Sequence, residues 1–244
     1  MLTDDLFAAI PFFAVLLLSL SWHEAAHAWV ADKLGDPTAR QLGRVTLNPI
    51  KHLDPFLSFI LPLILFFSFG FAIAGGKPVP VDVRYFKRTT RDFMYVALAG
   101  PGSNILLSLL FGVVYVGCYW SGLVETGMIE NPGGADIRMA PSLLEGPPTQ
   151  LLGAILWAGI FLNIALAMFN LIPIPPLDGS RVIGWMLPRF AKRTWFSFDR
   201  AGVLIVLVVV FVFDGFAVFW SLIQKVIAVY DRGLLWLFDQ NPFA

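Results

Sequence analysis

The chain has 244 residues, 57% hydrophobic and 14% charged, with a mean hydropathy of +0.74 and a formal net charge of zero. So much apolar side chain cannot be covered by so little polar surface, which excludes a water-soluble globular domain and predicts a membrane protein. The charge balance gives no reason to invoke nucleic acid, and the single cysteine, Cys118, excludes intrachain disulfides, CxxC redox chemistry and a cysteine-based zinc site.

A membrane-spanning helix needs about 20 apolar residues. The first such run is Leu6 to Ala31, preceded by Asp4 and Asp5 where a secretory signal would carry base, so it is expected to be a retained, functional helix. Phe56 to Gly76 is apolar but broken by Pro62 and by glycines. Phe93 to Trp120 follows, then Ser121 to Gln150, a mildly acidic stretch rich in Gly and Pro that reads as an external loop. Leu151 to Leu187 and Ala201 to Ile223 are the remaining runs.

The basic residues fall into three groups around these runs. Lys33 to Lys51, Lys77 to Arg91 and Arg181 to Arg200 together hold 14 of the 17, and the positive-inside rule puts all three in the cytoplasm. The N-terminus is then outside. Phe56 to Gly76 has basic groups on both flanks, so it is expected to enter and leave by one face as a re-entrant segment. The fold class expected is an all-α, multi-pass protein of the cell membrane, one domain over residues 1–244, with four spanning helices, the last of them over 201–223.

The chemistry begins at the inner end of the first run. In His23-Glu24-Ala25-Ala26-His27 the four-residue spacing stacks both imidazoles on one helix face, where they can reach one metal ion. Glu24 lies on a neighbouring part of the turn, placed to take a proton from water at the metal. Leu6 to Trp22 is seventeen residues, about 26 Å of helix, so the motif lies in the inner part of the membrane. An unpaired glutamate there would cost several kcal/mol. A catalytic zinc wants a third protein ligand and one open position.

Asp178, in Asn170-Leu-Ile-Pro-Ile-Pro-Pro-Leu-Asp-Gly179, is the carboxylate best placed to supply it, with pairing to Arg181 as the competing role. Pro173, Pro175 and Pro176 cannot all sit in an unbroken helix, so the chain is expected to unwind here, at a depth where freed backbone groups need a protein-lined or wet cavity. Asn170 fits two roles, hydrogen bonding between helices or donation to a developing oxyanion. Asn104 and Asn163 read as interhelical glue. His52 is either a solvated cytoplasmic histidine or a neighbour of the site, and is left off the ligand set.

HExxH in one membrane helix followed far downstream by NxxPxPxLDG in another resembles the site-2 proteases, the intramembrane zinc metalloproteases. Gly35-Asp-Pro-Thr, Gly43-Arg-Val-Thr-Leu-Asn-Pro, Lys77-Pro-Val-Pro-Val and Ala99-Gly-Pro are similar to the compact branch of that family without a PDZ domain. The likeness covers roughly residues 20 to 190. It implies one zinc per chain on His23, His27 and Asp178, activation of water by Glu24, and a role for Asn170 in holding substrate or stabilising the tetrahedral intermediate, with Asn104 in support. It also implies a membrane-embedded β-hairpin whose edges near Val45 or Val79 pair with an unwound substrate, and a substrate that is a transmembrane protein in the lipid bilayer.

Two other classes of function fit the sequence less well. A catalytically silent scaffold that only holds membrane helices has no use for Glu24. A metal transporter would string ionisable residues across the membrane depth, whereas here they gather near one face, with Asp214 the exception.

Overall fold

The computed structural model describes residues 2–64, 75–124, 148–211 and 215–240. Most of the expected external loop, the centre of Phe56 to Gly76, and Asp214 lie outside them. The described residues are helical in the main: α1 (Leu2–Lys33), α2 (Thr89–Trp120), α3 (Pro148–Asn170), α4 (Gly179–Met186), α5 (Arg189–Ser197), α6 (Gly202–Phe211) and α7 (Gly215–Asp239). Among them, α2 and α3 are long and apolar enough to cross a membrane. The chain is all-α in class. No strand forms among the described residues; Val79 lies in irregular chain, and the one bridge is an isolated antiparallel pair between Leu53 and Gly76.

Two compact units are formed. The first comprises Met1–Ser19, Ile105–Ala165 and Leu222–Ala244. Its core gathers Leu16 of α1, Tyr115 of α2, Trp157 and Ile160 of α3, and Ile223 and Ile227 of α7. The buried positions of α7, Ile223, Ile227, Asp231, Leu234 and Phe238, recur every three or four residues, so this helix buries one stripe. Tyr230 Oη donates to Ser108 O at 2.9 Å, and the Tyr119 and Phe238 rings stand 4.4 Å apart. Asn163 is the glue expected of it: its Nδ2 donates to Ser19 Oγ at 2.9 Å and to Gly159 O at 2.7 Å, satisfying a buried amide inside apolar helices.

The second unit comprises Leu20–Asn104 and Leu166–Ser221. Here α1 ends at Lys33 and the chain turns through Gly35, whose φ of +108° suits a residue without Cβ. Asp36 fixes that turn from a fully buried position. Its Oδ1 accepts from Thr38 N at 3.0 Å and its Oδ2 from Asp82 N at 2.7 Å, so the Gly-Asp-Pro-Thr stretch is a structural joint. Downstream, α3 stops at Asn170, and residues 171–178 form no helix before α4 opens at Gly179, as the prolines require. Arg181 of α4 bonds Asp199 at 2.7 Å and lies over the Phe93 ring, 5.0 Å from its centroid.

The run expected as a single span over Ala201 to Ile223 is divided between α6 and the start of α7. A Cβ at Gly215 would come within 2.6 Å of Val209 O, so the first residue of α7 packs closely on the backbone of α6.

Candidate metal centre

Three side chains from two distant parts of the sequence converge in the second unit. One turn of α1 carries His23 and His27, and Asp178 stands at the mouth of α4, where the unwound chain hands over to helix. The two Nε2 atoms lie 3.0 Å apart, and each is 3.2 Å from Asp178 Oδ2.

The outer nitrogens decide the tautomers. His27 Nδ1 donates to the Val96 carbonyl at 2.7 Å, and His23 Nδ1 donates to Asn104 Oδ1 at 2.6 Å. A carbonyl oxygen only accepts, so the proton sits on Nδ1 and the Nε2 lone pair faces inward. Asp178 Oδ2 is buried and has no hydrogen-bond partner. With both rings neutral, two lone pairs and a carboxylate oxygen face each other, an arrangement that a shared cation satisfies.

The spacing suits zinc. A tetrahedral ion with bonds of roughly 2.0 to 2.1 Å separates its ligand atoms by about 3.3 Å, close to the 3.0 and 3.2 Å observed. Two imidazoles and one carboxylate leave one position open for water or substrate, as in catalytic rather than structural zinc sites. Among the described residues this is the group able to hold a metal ion.

Glu24 is buried beside the metal-binding pair and faces Gly76: a Cβ there would lie 2.8 Å from its Oε1. Asn104 is fully buried, with its Oδ1 accepting from His23 Nδ1 at 2.6 Å. Asn170 is half-buried, with its Nδ2 donating to Leu166 O of its own helix at 3.0 Å. Arg181 bonds Asp199, so the pairing that competed for Asp178 is absent. His52 is fully buried rather than solvated, and is not among the three converging side chains.

Some contributors carry no side chain that sequence reasoning could single out. Gly100 of α2 packs directly on the imidazoles: a Cβ there would lie 2.4 Å from His27 Nε2 and 2.5 Å from His23 Cε1. Gly179 fits against the unwound chain in the same way, since a Cβ there would lie 2.2 Å from Leu171 O. The small residues of Ala99-Gly-Pro-Gly-Ser were the available signal, because close helix approach requires them.

The model of peptidase family M50 matches residues 11–213, and so most of the chain, including every residue of this centre. The chain belongs to peptidase family M50. Three curated relatives share the printed name "Putative zinc metalloprotease". YwhC of Bacillus subtilis is 35% identical over 216 residues, covering 88% of this chain and 87% of the relative. Rip2 of Mycolicibacterium smegmatis is 30% identical over 79% of this chain, which spans 63% of that relative's length. MJ0611 of Methanocaldococcus jannaschii is 28% identical over 72% of this chain and 74% of its own. No solved structure matches. This M50 peptidase is an intramembrane zinc metalloprotease whose cofactor is zinc and whose substrates are proteins.

Proposed function

We propose that this peptidase cuts peptide bonds within or next to the transmembrane segments of a membrane-protein substrate, with one zinc ion held by His23, His27 and Asp178. The supporting observation is the pair of Nδ1 anchors, Asn104 and Val96, that turn both Nε2 lone pairs onto one unpartnered carboxylate oxygen.

The chemistry zinc supplies in such a site is Lewis-acid polarisation of a carbonyl and a large fall in the pKa of bound water, to about 7. Glu24 takes the proton of the attacking water as the new C–O bond forms and returns it to the amine as the C–N bond breaks. Asn170, at the end of α3, exchanges its bond to Leu166 O for one to the substrate carbonyl and helps to stabilise the oxyanion. A helical peptide bond is guarded by its own hydrogen bonds, so the substrate unwinds first and lies in extended form against the chain around Val79.

In the bilayer, α1, α2 and α3 cross, a fourth passage is made within 201–223, and the three basic groups mark the cytoplasmic face of the cell membrane. Phe56 to Gly76 re-enters; the bridge between Leu53 and Gly76, which lies across the ends of that segment, supports this reading. The silent scaffold has no supporting observation, because Glu24 is in place beside an intact ligand set.

The test is metal removal. The purified full chain, reconstituted with a panel of single-span substrates, should cut at least one of them, stop after chelation and recover on addition of one equivalent of zinc. Cleavage indifferent to chelation would refute the reading.

A further inference from the structure

The backbone from Gly75 to Pro78 is tied at unusual density for a connecting stretch. Gly75 N donates to Leu57 O at 3.0 Å and Gly75 O accepts from Ser58 Oγ at 2.7 Å. Lys77 N donates to His52 O at 2.7 Å. Arg44 Nη2 donates to Lys77 O at 2.5 Å and to Pro78 O at 3.3 Å. Ser58 and His52 are fully buried and Arg44 nearly so, at 6% exposure.

Burying a guanidinium and an imidazole is costly, and here each keeps an unmet polar atom, Arg44 Nε and His52 Nδ1. Neither belongs to the metal-binding group. What they hold in place is Gly76, and what Gly76 faces is Glu24. A Cβ at position 76 would stand 2.8 Å from Glu24 Oε1, 2.9 Å from Cγ and 3.0 Å from Cδ, so the whole end of the glutamate side chain rests on that backbone.

We propose that the Gly75–Pro78 backbone is the wall that aims the Glu24 carboxylate, and that His52 and Arg44 are positioning residues of the reaction because they hold that wall. The inference rests on Glu24 being the general base. His52 acts through two bonds at once: its Nε2–H donates to Thr46 O at 2.7 Å, which fixes the ring, and its own carbonyl receives Lys77 N. Position 76 has to be glycine for the same reason, since any side chain would displace the carboxylate.

The experiment compares wild type, Gly76→Ala, His52→Phe, His52→Gln and Glu24→Gln as full chains in detergent. Zinc per chain, the visible absorption spectrum with Co(II) in place of zinc, and kcat and KM on one single-span test substrate are measured. Glutamine can reach Thr46 O as the imidazole does; phenylalanine keeps the volume without the donor. Gly76→Ala should keep one zinc per chain, give the cobalt spectrum of Glu24→Gln rather than of wild type, and lose kcat by roughly 10- to 100-fold with little change in KM. His52→Phe should follow it in part and His52→Gln should recover most of the difference.

Wild-type kcat and spectrum in Gly76→Ala would overturn the proposal. So would loss of zinc there, because the segment would then be building the metal site rather than aiming Glu24. A wild type that binds zinc and cuts no substrate would instead count against the proteolytic reading, while the cobalt spectrum of Gly76→Ala would still decide whether Gly76 sets Glu24.

Discussion

Gly100→Ala is the sharpest perturbation of the metal centre that leaves every ligand in place. The added Cβ would stand 2.4 Å from His27 Nε2, whereas ordinary contact begins near 3.4 Å, so helix or imidazole must retreat by about 1 Å. Metal–ligand distances tolerate roughly 0.2 Å, so the retreat is about five times what the site can absorb. Loss of a supporting contact alone lowers metal affinity by roughly 10- to 100-fold. Displacement of a ligand itself should reach or pass the upper figure, about 2.8 kcal/mol in binding free energy. Gly102→Ala, on the same helix, is the control, because a Cβ there meets no neighbouring segment within 4 Å. Both substitutions gain helix propensity of about 1 kcal/mol, so neither should unfold α2. Zinc retained per chain during titration with a competing chelator, with circular dichroism for helicity, separates them. If Gly100→Ala holds zinc as tightly as Gly102→Ala, the packing of α2 on the imidazoles has been misjudged.

Other consequences follow from the same geometry. Asn104→Leu removes the acceptor that orients His23 and should weaken zinc by roughly 10- to 100-fold in the same titration without altering helix content. Val79→Pro should slow cleavage of a single-span substrate while zinc per chain stays constant, since proline removes a backbone donor that an extended substrate would use. His52 is held below its ordinary pKa by burial, opposed by its bond to Thr46 O, with Arg44 lowering it further and Glu24 raising it. Its unfolded form therefore takes up a proton first as pH falls. Stability should be complete above about pH 6.5 and decline below it, and the decline in thermal midpoint between pH 7.5 and 5.5 should be smaller in His52→Gln.

The metal centre could be read from the sequence where chemistry leaves a mark in residue type and spacing. Four-residue spacing puts His23 and His27 on one face in any helix, and three prolines in eight residues force the break that delivers Asp178, whatever the rest of the fold does. Gly76, Gly100 and the Val96 carbonyl could not be read in the same way, because their contribution is a close approach or a backbone atom and exists only once distant segments meet. The place of His52 is hidden in the sequence for a related reason: it lies in a polar stretch that looks solvated, yet the fold buries it fully, with its carbonyl accepting from Lys77 N. At the C-terminal end, counting apolar residues marked 201–223 as one run. The amphipathic stripe of α7, continuing to Phe238 with charged residues between its buried positions, lies beyond what an apolar-length criterion detects.

The central claim is that Glu24 performs the proton transfers at a zinc ion held by other residues. Glu24→Gln keeps the size and burial of the side chain and removes the base. Purified in parallel with wild type and mixed with a single-span substrate that wild type cuts, it should carry the same zinc per chain and lose cleavage by several powers of ten. Cleavage at the wild-type rate, or loss of zinc in step with loss of activity, would contradict the account.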